Sequence, residues 1–322
     1  MAMQKFISRV SLLAAAGMLA CAASVHATTV ATDIFDNHTD VTTPASTIAA
    51  GPDTGNPSYV AGGAVLTVAN DATFGSKAIT DTAPATGSGE WMALLPVSAS
   101  MTSPGDTITV TFAYHFTTAP SGTARAIGLN FGLYKSNGTT TDPANYATST
   151  NDDQGYWGAV SYAATGSTGP YPNSIAEEKG GAAPLMGGSP TDSVTLASFN
   201  AGAGSSVTDA NIYKVTFKLT MLNGGGTSGN NKIQLDLSET DNSNVSKFAL
   251  QGFDDGTNNS ASTADANQTV VPFTSFNELA FRTQTFGTVV DNIVIDASNV
   301  PEPASLGLLA LGGLGLLRRR AR

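Results

Sequence analysis

Apolar residues alternate with polar ones along several stretches of the chain, and this period of two predicts β-strands. In residues 106–117, apolar side chains from Ile108 to Phe116 occupy every second position, mostly with threonines between them. Residues 212–222 and 232–239 repeat the pattern. Successive side chains of a strand point to opposite faces, so the alternation is typical of a strand with one buried and one wet face.

Weaker versions of this pattern predict eight further strands, separated by stretches rich in Gly, Asn and Ser. They lie at 64–69, 91–97, 124–135, 156–163, 193–199, 247–253, 278–283 and 288–296. One helical turn is expected, at 174–179. Eleven strands without a long helix predict an all-β fold, an antiparallel sandwich or barrel. Because there is no internal repeat and no long linker, we expect one β-sandwich domain over residues 28–299.

The N-terminal segment predicts a secretory signal peptide over residues 1–27. Lys5 and Arg9 give a basic start, residues 10–23 are largely apolar, and small residues precede Thr28. This layout predicts an apolar signal helix, export through the Sec translocon, and cleavage by signal peptidase between Ala27 and Thr28.

Cys21 is the only cysteine of the chain. A lipoprotein signal with Cys21 as the lipidated residue is an alternative, although Met18 and Leu19 fit such a signal poorly. Cleavage after Ala27 would leave a mature protein without cysteine. Thiol chemistry would then be excluded, and the domain would depend on burial of apolar surface for its stability.

The charge of the central domain is strongly negative. Residues 28–299 carry nine basic and 24 acidic side chains, a formal balance of about −15. Such a domain repels phosphate backbones and anionic lipids, so we expect no nucleic-acid partner.

The stretch 124–135 predicts a candidate glycan-binding surface. Alternation places Asn130 and Tyr134 on one face together with two glycines, and Trp157 is expected nearby. Sugars stack on aromatic rings and hydrogen-bond to amides. The alternatives are that the glycines relieve crowding in a curved sheet and that Trp91 and Trp157 anchor the core.

Together with the segment 151–157 and the closing strand 290–295, these features resemble the concanavalin A-like lectin and glucanase jelly rolls, over Asp33–Ala297. The glucanase members carry Glu-x-Asp-x-x-Glu on one strand. Here Gln234 stands at the nucleophile position, followed by Asp236 and Glu239. An amide cannot act as the nucleophile of a retaining glycosidase, so we expect a non-enzymatic protein.

Few residues indicate metal or nucleophile chemistry. Asp152, Asp153 and Asp291 are candidates for a structural calcium site, since calcium takes six to eight oxygen ligands. Asp is also an ordinary turn residue, and no other cofactor is expected. The histidines of the central domain, His38 and His115, lie far apart in sequence and support no catalytic triad; His115 is expected on a solvated face.

The C-terminal segment, residues 300–322, has three parts. Pro301, Glu302 and Pro303 precede fourteen uncharged residues at 304–317, and a basic cluster follows. As a helix the fourteen residues would be about 21 Å long, short of a hydrocarbon core of about 30 Å. This predicts a short, transient membrane-span helix whose cationic end stays in the cytoplasm. That end consists of Arg318, Arg319, Arg320 and Arg322.

This order of motif, short span and arginines closely resembles the PEP-CTERM sorting signal. The resemblance implies a Gram-negative host, processing near Pro301–Pro303 by an exosortase (a membrane transpeptidase), and delivery to the cell surface or extracellular matrix. The expected function is therefore a secreted, non-enzymatic surface or matrix protein that binds extracellular polysaccharide. A glycan-active jelly-roll enzyme and a purely structural matrix component are the alternatives.

Overall fold

A computed structural model describes twelve parts of the chain, and within them the fold is an antiparallel two-sheet β-sandwich. None of the described residues forms a helix that could cross a membrane. The described residues are 26–62, 65–82, 88–117, 126–136, 154–162, 172–178, 186, 193–200, 211–225, 231–256, 272–284 and 287–299.

A nine-stranded sheet has the order β15-β14-β13-β8-β17-β6-β5-β2, with β1 also paired to β17. In chain order its strands are β1 (His26–Asp33), β2 (Val41–Ala45), β5 (Val65–Asp71), β6 (Ser76–Thr82), β8 (Thr107–Phe116), β13 (Tyr213–Gly225), β14 (Asn231–Asp241), β15 (Ser246–Asp254) and β17 (Thr288–Asn299).

An eight-stranded sheet has the order β12-β11-β10-β9-β16-β7-β4-β3. Its strands are β3 (Thr47–Ile48), β4 (Ser58–Gly62), β7 (Ser88–Ser100), β9 (Ala126–Lys135), β10 (Gln154–Tyr162), β11 (Pro172–Glu178), β12 (Ser193–Asn200) and β16 (Ser275–Gln284).

The core lies between the sheets and is rich in aromatic rings. Phe112 of the nine-stranded sheet meets Phe131 and Phe281 of the other sheet edge-on, with ring centroids 5.0 and 5.1 Å apart. Trp91 stacks on Phe281 at 4.2 Å. These rings come from the inward positions of the alternating strands, as the sequence pattern predicts.

All eleven predicted strands are present, with ends shifted by a few residues. The predicted helical turn at 174–179 is wrong: residues 172–178 form β11, which pairs with β10 and β12. Glu177 and Glu178 of this strand are both buried. Because charged residues occupy buried positions, the sequence of β11 does not show the apolar–polar alternation of a strand. The expected signal helix and membrane-span helix fall outside the described residues.

The first and last described strands pair with each other. In the β1–β17 ladder, Ala27 lies opposite Ser298 and Thr28 lies opposite Ala297. Thr29 Oγ1 donates to Asp296 Oδ1 at 2.7 Å. Along its other edge, β17 pairs with β8. The two ends of the sandwich therefore meet in one ladder.

Candidate functional site

The candidate site is the face of the eight-stranded sheet that is turned away from the core. Outward side chains of β7, β16, β9 and β10 lie side by side there, because these strands are neighbours. Asn130 lies opposite Arg282 and Ala159, and Tyr134 lies opposite Glu278 and Gly155. We call this surface the Trp157 face; it comprises Glu90, Met92, Asn130, Gly132, Tyr134, Trp157, Ala159, Ala176, Glu278, Ala280 and Arg282.

Gly132 lies at the centre of the Trp157 face, between Trp157 and Ala280 in register. A Cβ atom on Gly132 would lie 2.7 Å from Tyr134 Cε2 and 2.8 Å from Trp157 Cβ. The absent side chain thus lets two aromatic residues pack over the strand. The space beside this glycine is filled by Tyr134 and Trp157.

Two side-chain donors converge on one carbonyl oxygen at this face. Asn130 Nδ2 and Arg282 Nη1 donate to the Met186 carbonyl at 3.1 and 2.7 Å. Met186 is buried and has a left-handed backbone with φ of 56°. Its side chain packs with Trp157 and Tyr134 in a small apolar cluster.

Two polar atoms of the Trp157 face have no hydrogen-bond partner in the part of the chain that the structure describes. They are Asn130 Oδ1 and Trp157 Nε1. Asn130 is 1% exposed and Trp157 is 8% exposed. A buried polar atom without a partner costs about 1–3 kcal/mol, so the two atoms mark a place where a ligand could supply hydrogen bonds.

The three residues predicted as a glycan site, Asn130, Tyr134 and Trp157, do lie together on one face of β9 and β10. All three are buried. The burial of Trp157 fits the alternative that this side chain is a packing anchor, whereas the burial of Asn130 and Tyr134 was not predicted. Sequence reasoning missed Arg282, because residues far apart in sequence become neighbours only through the strand order. It missed the carboxylates Glu90 and Glu278 for the same reason.

The candidate calcium ligands are only in part described. Asp152 and Asp153 lie outside the described residues. Asp291 accepts hydrogen bonds from Ser76 Oγ at 2.9 Å and from the Asn292 backbone N–H at 2.7 Å. Burial raises the pKa of Asp291 to about 6. Among the described residues no group of three or more His, Cys, Asp or Glu side chains could hold a metal ion.

A buried polar cluster follows β1. Asp33 accepts hydrogen bonds from the Tyr59 hydroxyl at 2.8 Å and from the Phe35 backbone N–H at 2.8 Å, and it lies 2.7 Å from His38 Nε2. Burial, together with the charge of Asp33, raises the pKa of Tyr59 well above its usual value. This cluster links the end of β1 to β4. In the sequence, its only signal is that polar residues interrupt an apolar stretch.

The expectation for His115 is wrong. The side chain is buried, not solvated, and its Nε2 lies 3.0 Å from Asp71 Oδ1. The ring of Phe74 covers it with centroids 5.2 Å apart. The β5–β6 hairpin therefore packs over the end of β8, which the alternation within β8 alone could not indicate.

The residues compared with the glucanase motif lie on two faces of β14. Gln234 Nε2 donates to Asp236 Oδ2 at 2.8 Å on the outward face. Glu239 lies in the interior beside the Tyr114 hydroxyl at 3.3 Å, and burial raises its pKa to about 8. Asp236 and Glu239 therefore do not form a pair of carboxylates on one surface.

The predicted signal-peptidase site lies within the first strand. Ala27 and Thr28 are exposed and lie within β1. The residues of the predicted sorting signal lie outside the described residues. They are Pro301, Glu302, Pro303, Arg318, Arg319, Arg320 and Arg322.

Several solved structures are similar to this chain at low identity and low TM-score. A lectin from Bauhinia forficata in complex with GalNAc has a TM-score of 0.41 and 9% identity, covering 80% of this chain and 98% of the lectin. Lectin I from Ulex europaeus in complex with the methyl glycoside of α-L-fucose has a TM-score of 0.40 and 13% identity, covering 80% of this chain and 98% of the lectin. A variant of alginate lyase Aly36B in complex with an alginate tetrasaccharide has a TM-score of 0.38 and 12% identity, covering 82% of this chain and 95% of the lyase.

A comparison with curated protein sequences finds no match. The PEP-CTERM protein-sorting motif matches residues 299–321, beginning at the last residue of β17. This match agrees with the order of motif, short apolar segment and arginines in the sequence, and it implies export to the cell surface or the extracellular space. The chain therefore carries a PEP-CTERM protein-sorting motif at the end of an antiparallel β-sandwich.

Proposed function

We propose that the protein is an exported, exosortase-processed β-sandwich that binds carbohydrate at the Trp157 face without catalysis. The observation that carries the binding role is the pair of buried atoms without partners, Asn130 Oδ1 and Trp157 Nε1, beside the donors of Arg282. Sugar hydroxyls both donate and accept hydrogen bonds, so one ligand could satisfy an amide oxygen and an indole N–H together.

The contacts of Met186 support the same assignment. Its carbonyl oxygen receives hydrogen bonds from Asn130 and Arg282. A sugar oxygen in the place of that carbonyl would be received by the same two donors. A sugar that took the place of Met186 would also reach the rings of Tyr134 and Trp157, which are buried against the Met186 side chain.

Binding of a panel of neutral and acidic oligosaccharides to the full-length chain in non-ionic detergent tests this role. We expect Trp157→Ala to abolish binding. Trp157→Phe, which keeps a ring but removes the N–H, should weaken it by about 1–2 kcal/mol. Equal binding by Trp157→Ala would contradict the assignment, provided that the variant keeps its thermal unfolding transition.

The same assay addresses the two alternatives. A glycan-active enzyme is supported by the acidic and tyrosine side chains of the Trp157 face, Glu278 and Tyr134, which lie opposite each other. Release of shorter oligosaccharides during incubation would establish that alternative. Absence of binding to every glycan would leave the purely structural role.

Processing is tested by mass analysis of the exported protein. We expect loss of the segment after Pro301–Pro303 and, on replacement of Glu302 by Ala, accumulation of uncleaved protein in the inner membrane. The presence of Arg322 on the surface form would contradict processing. Removal of the N-terminal segment by signal peptidase, with Thr28 as the new first residue, is checked in the same spectra.

A further inference from the structure

Lysine side chains are concentrated on the outward face of three neighbouring strands of the nine-stranded sheet. The inward positions of β13 and β14, such as Phe217 and Leu235, are buried in the core. Their neighbours in sequence therefore point to solvent. The outward lysines are Lys214 and Lys218 on β13, Lys232 on β14 and Lys247 on β15. They are four of the nine basic residues in 28–299.

Only part of this positive charge is neutralised locally. Lys247 forms an ion pair with Asp241 at 2.8 Å. Lys218 lies opposite Asp236 in the β13–β14 register. In the described part of the chain, neither Lys214 nor Lys232 has a carboxylate within ion-pair distance. The face thus carries a net positive charge, although the domain as a whole is acidic.

Polar and aromatic groups lie among the lysines. The amides of Gln234 and Gln251 both donate to the carboxylate of Asp236 at 2.8 Å, so its two oxygens are already engaged. Phe253 is exposed at 36%, and the Lys232 ammonium lies 4.1 Å from its ring centroid. The half-exposed hydroxyls Thr216, Thr220, Ser238 and Thr240 fill the outward positions between them.

We propose that this face, which we call the lysine face (Lys214, Lys218, Lys232, Lys247 and Phe253), binds an acidic polysaccharide. The ring of Phe253 offers a surface for a sugar ring, and the adjacent ammonium of Lys232 would pair with a carboxylate of that sugar. The threonine and serine hydroxyls supply hydrogen bonds to neutral sugar oxygens. The surface is separate from the Trp157 face, because it belongs to the other sheet.

The spacing of charges favours a sparsely charged polymer over a nucleic acid. Lys214 and Lys218 are four residues apart on one strand, about 14 Å at 3.4 Å per residue. Duplex DNA carries one charge per about 1.7 Å of its axis, far denser than the lysines. Outside the lysine face and its two aspartates, residues 28–299 carry five basic and 22 acidic residues. The excess of acidic residues repels a polyanion, and this repulsion increases with the charge density of the polyanion.

The test compares variants of the full-length chain in a common background, in which the four terminal arginines are replaced by Gln. The probe is polygalacturonate, with dextran as the neutral polymer and short duplex DNA as the dense polyanion. The combined variant Lys214→Gln, Lys218→Gln and Lys232→Gln should bind polygalacturonate at least about tenfold more weakly. Raising salt from about 50 to 200 mM should weaken binding to the unmodified face about twentyfold, as expected for three neutralised charges at a log–log slope of about −0.7 each.

The control is Lys135→Gln, which removes an exposed charge from β9 of the other sheet. We expect its affinity to stay within twofold of the background chain. Equal losses in the control and the combined variant would overturn the proposal, and so would salt-independent binding, absence of binding to polygalacturonate, or tighter binding of DNA. Replacement of Trp157 tests neutral-glycan binding at the Trp157 face alone. The proposals for the Trp157 face and for the lysine face can therefore be contradicted independently.

Discussion

Gly132 shows how one missing side chain shapes the Trp157 face. The ring of Tyr134 and the Cβ atom of Trp157 occupy the volume that a side chain at this position would need. The Tyr156 carbonyl, 2.7 Å from the ideal Cβ position, blocks the same volume from the backbone side. Because a backbone atom cannot rotate away, the neighbours of Gly132 cannot adjust without moving the strand.

We expect Gly132→Ala to reduce the free energy of unfolding by about 1–3 kcal/mol, the usual cost of overpacking. The indole of Trp157 should shift, so its fluorescence spectrum should change. Chemical denaturation and fluorescence measure the two effects. Gly252→Ala is the control, since its Cβ would meet Leu196 and Ala197 Cβ atoms at 3.2 and 3.3 Å. Equal effects of the two substitutions would contradict the packing of the Trp157 face.

Asp33 is a second residue on which several others depend. It engages one backbone N–H and the side chains of His38 and Tyr59. We expect Asp33→Ala to lower the free energy of unfolding by about 2–4 kcal/mol, because it leaves a buried hydroxyl and a buried N–H without an acceptor. Thermal denaturation checks this. Asp53→Ala, at an exposed site, should change it by less than about 0.5 kcal/mol.

At the scale of strands, alternation predicted those elements that expose one face and bury the other. β13, β14 and the first half of β8 bury one face and expose the other, and all three strands were predicted with nearly correct ends. The strands β1, β2, β3, β4, β6 and β11 were missed. β3 has two residues, and β2 contains a proline. β11 has Glu177 at a fully buried position, so its sequence does not show that it is a buried strand.

The β1–β17 ladder predicts that the ends of the domain can be joined covalently. Thr29 and Asp296 are Cα partners in register, and such partners are close enough for a disulfide. In a Cys21→Ser background, Thr29→Cys with Asp296→Cys should form a bond across 267 residues. The chain-entropy estimate for so long a loop is about 5.6 kcal/mol of stabilisation, and measured values are usually lower.

The Tm of the oxidised double variant against its reduced form measures this gain. Each single variant serves as a control, because it removes the exposed hydrogen bond without forming the link. If the cysteines fail to oxidise in the folded protein, the ladder is not paired in this register.

At the scale of the whole molecule, the sequence predicted only the part of the candidate site that lies on strands consecutive along the chain. β9 and β10 follow each other along the chain, so Asn130, Tyr134 and Trp157 could be assigned to one face. Arg282 arrives from β16, which inserts between β9 and β7. The lysine face was hidden for a related reason: a strongly negative net charge says nothing about where the few positive charges lie.

Buried acids predict how stability depends on pH. Burial raises the pKa of Glu239 from 4.5 to about 8 and the pKa values of Asp81 and Asp291 from 3.8 to about 6. The folded protein then binds more protons than the unfolded chain between these limits, so stability falls as the pH rises. We expect a loss of about 2 kcal/mol between pH 6 and pH 8 from Glu239 alone.

Urea denaturation at several pH values measures this slope, and Glu239→Gln should flatten it. A Gln side chain is neutral at every pH and can still accept a hydrogen bond from Tyr114. An unchanged slope in Glu239→Gln would show that Glu239 is not responsible. Stability that increases from pH 6 to pH 8 would contradict the raised pKa values of the buried acids altogether.

The pairing of β1 with β17 also has a consequence in time. A chain that is synthesised from its N-terminus completes β1 first and β17 last, yet each is the other's neighbour in the sheet. The first strand must wait for about 260 residues before its ladder can form. Contacts so distant in sequence form slowly. The nine-stranded sheet can therefore close only when the chain is complete up to Asn299, where the sorting motif begins.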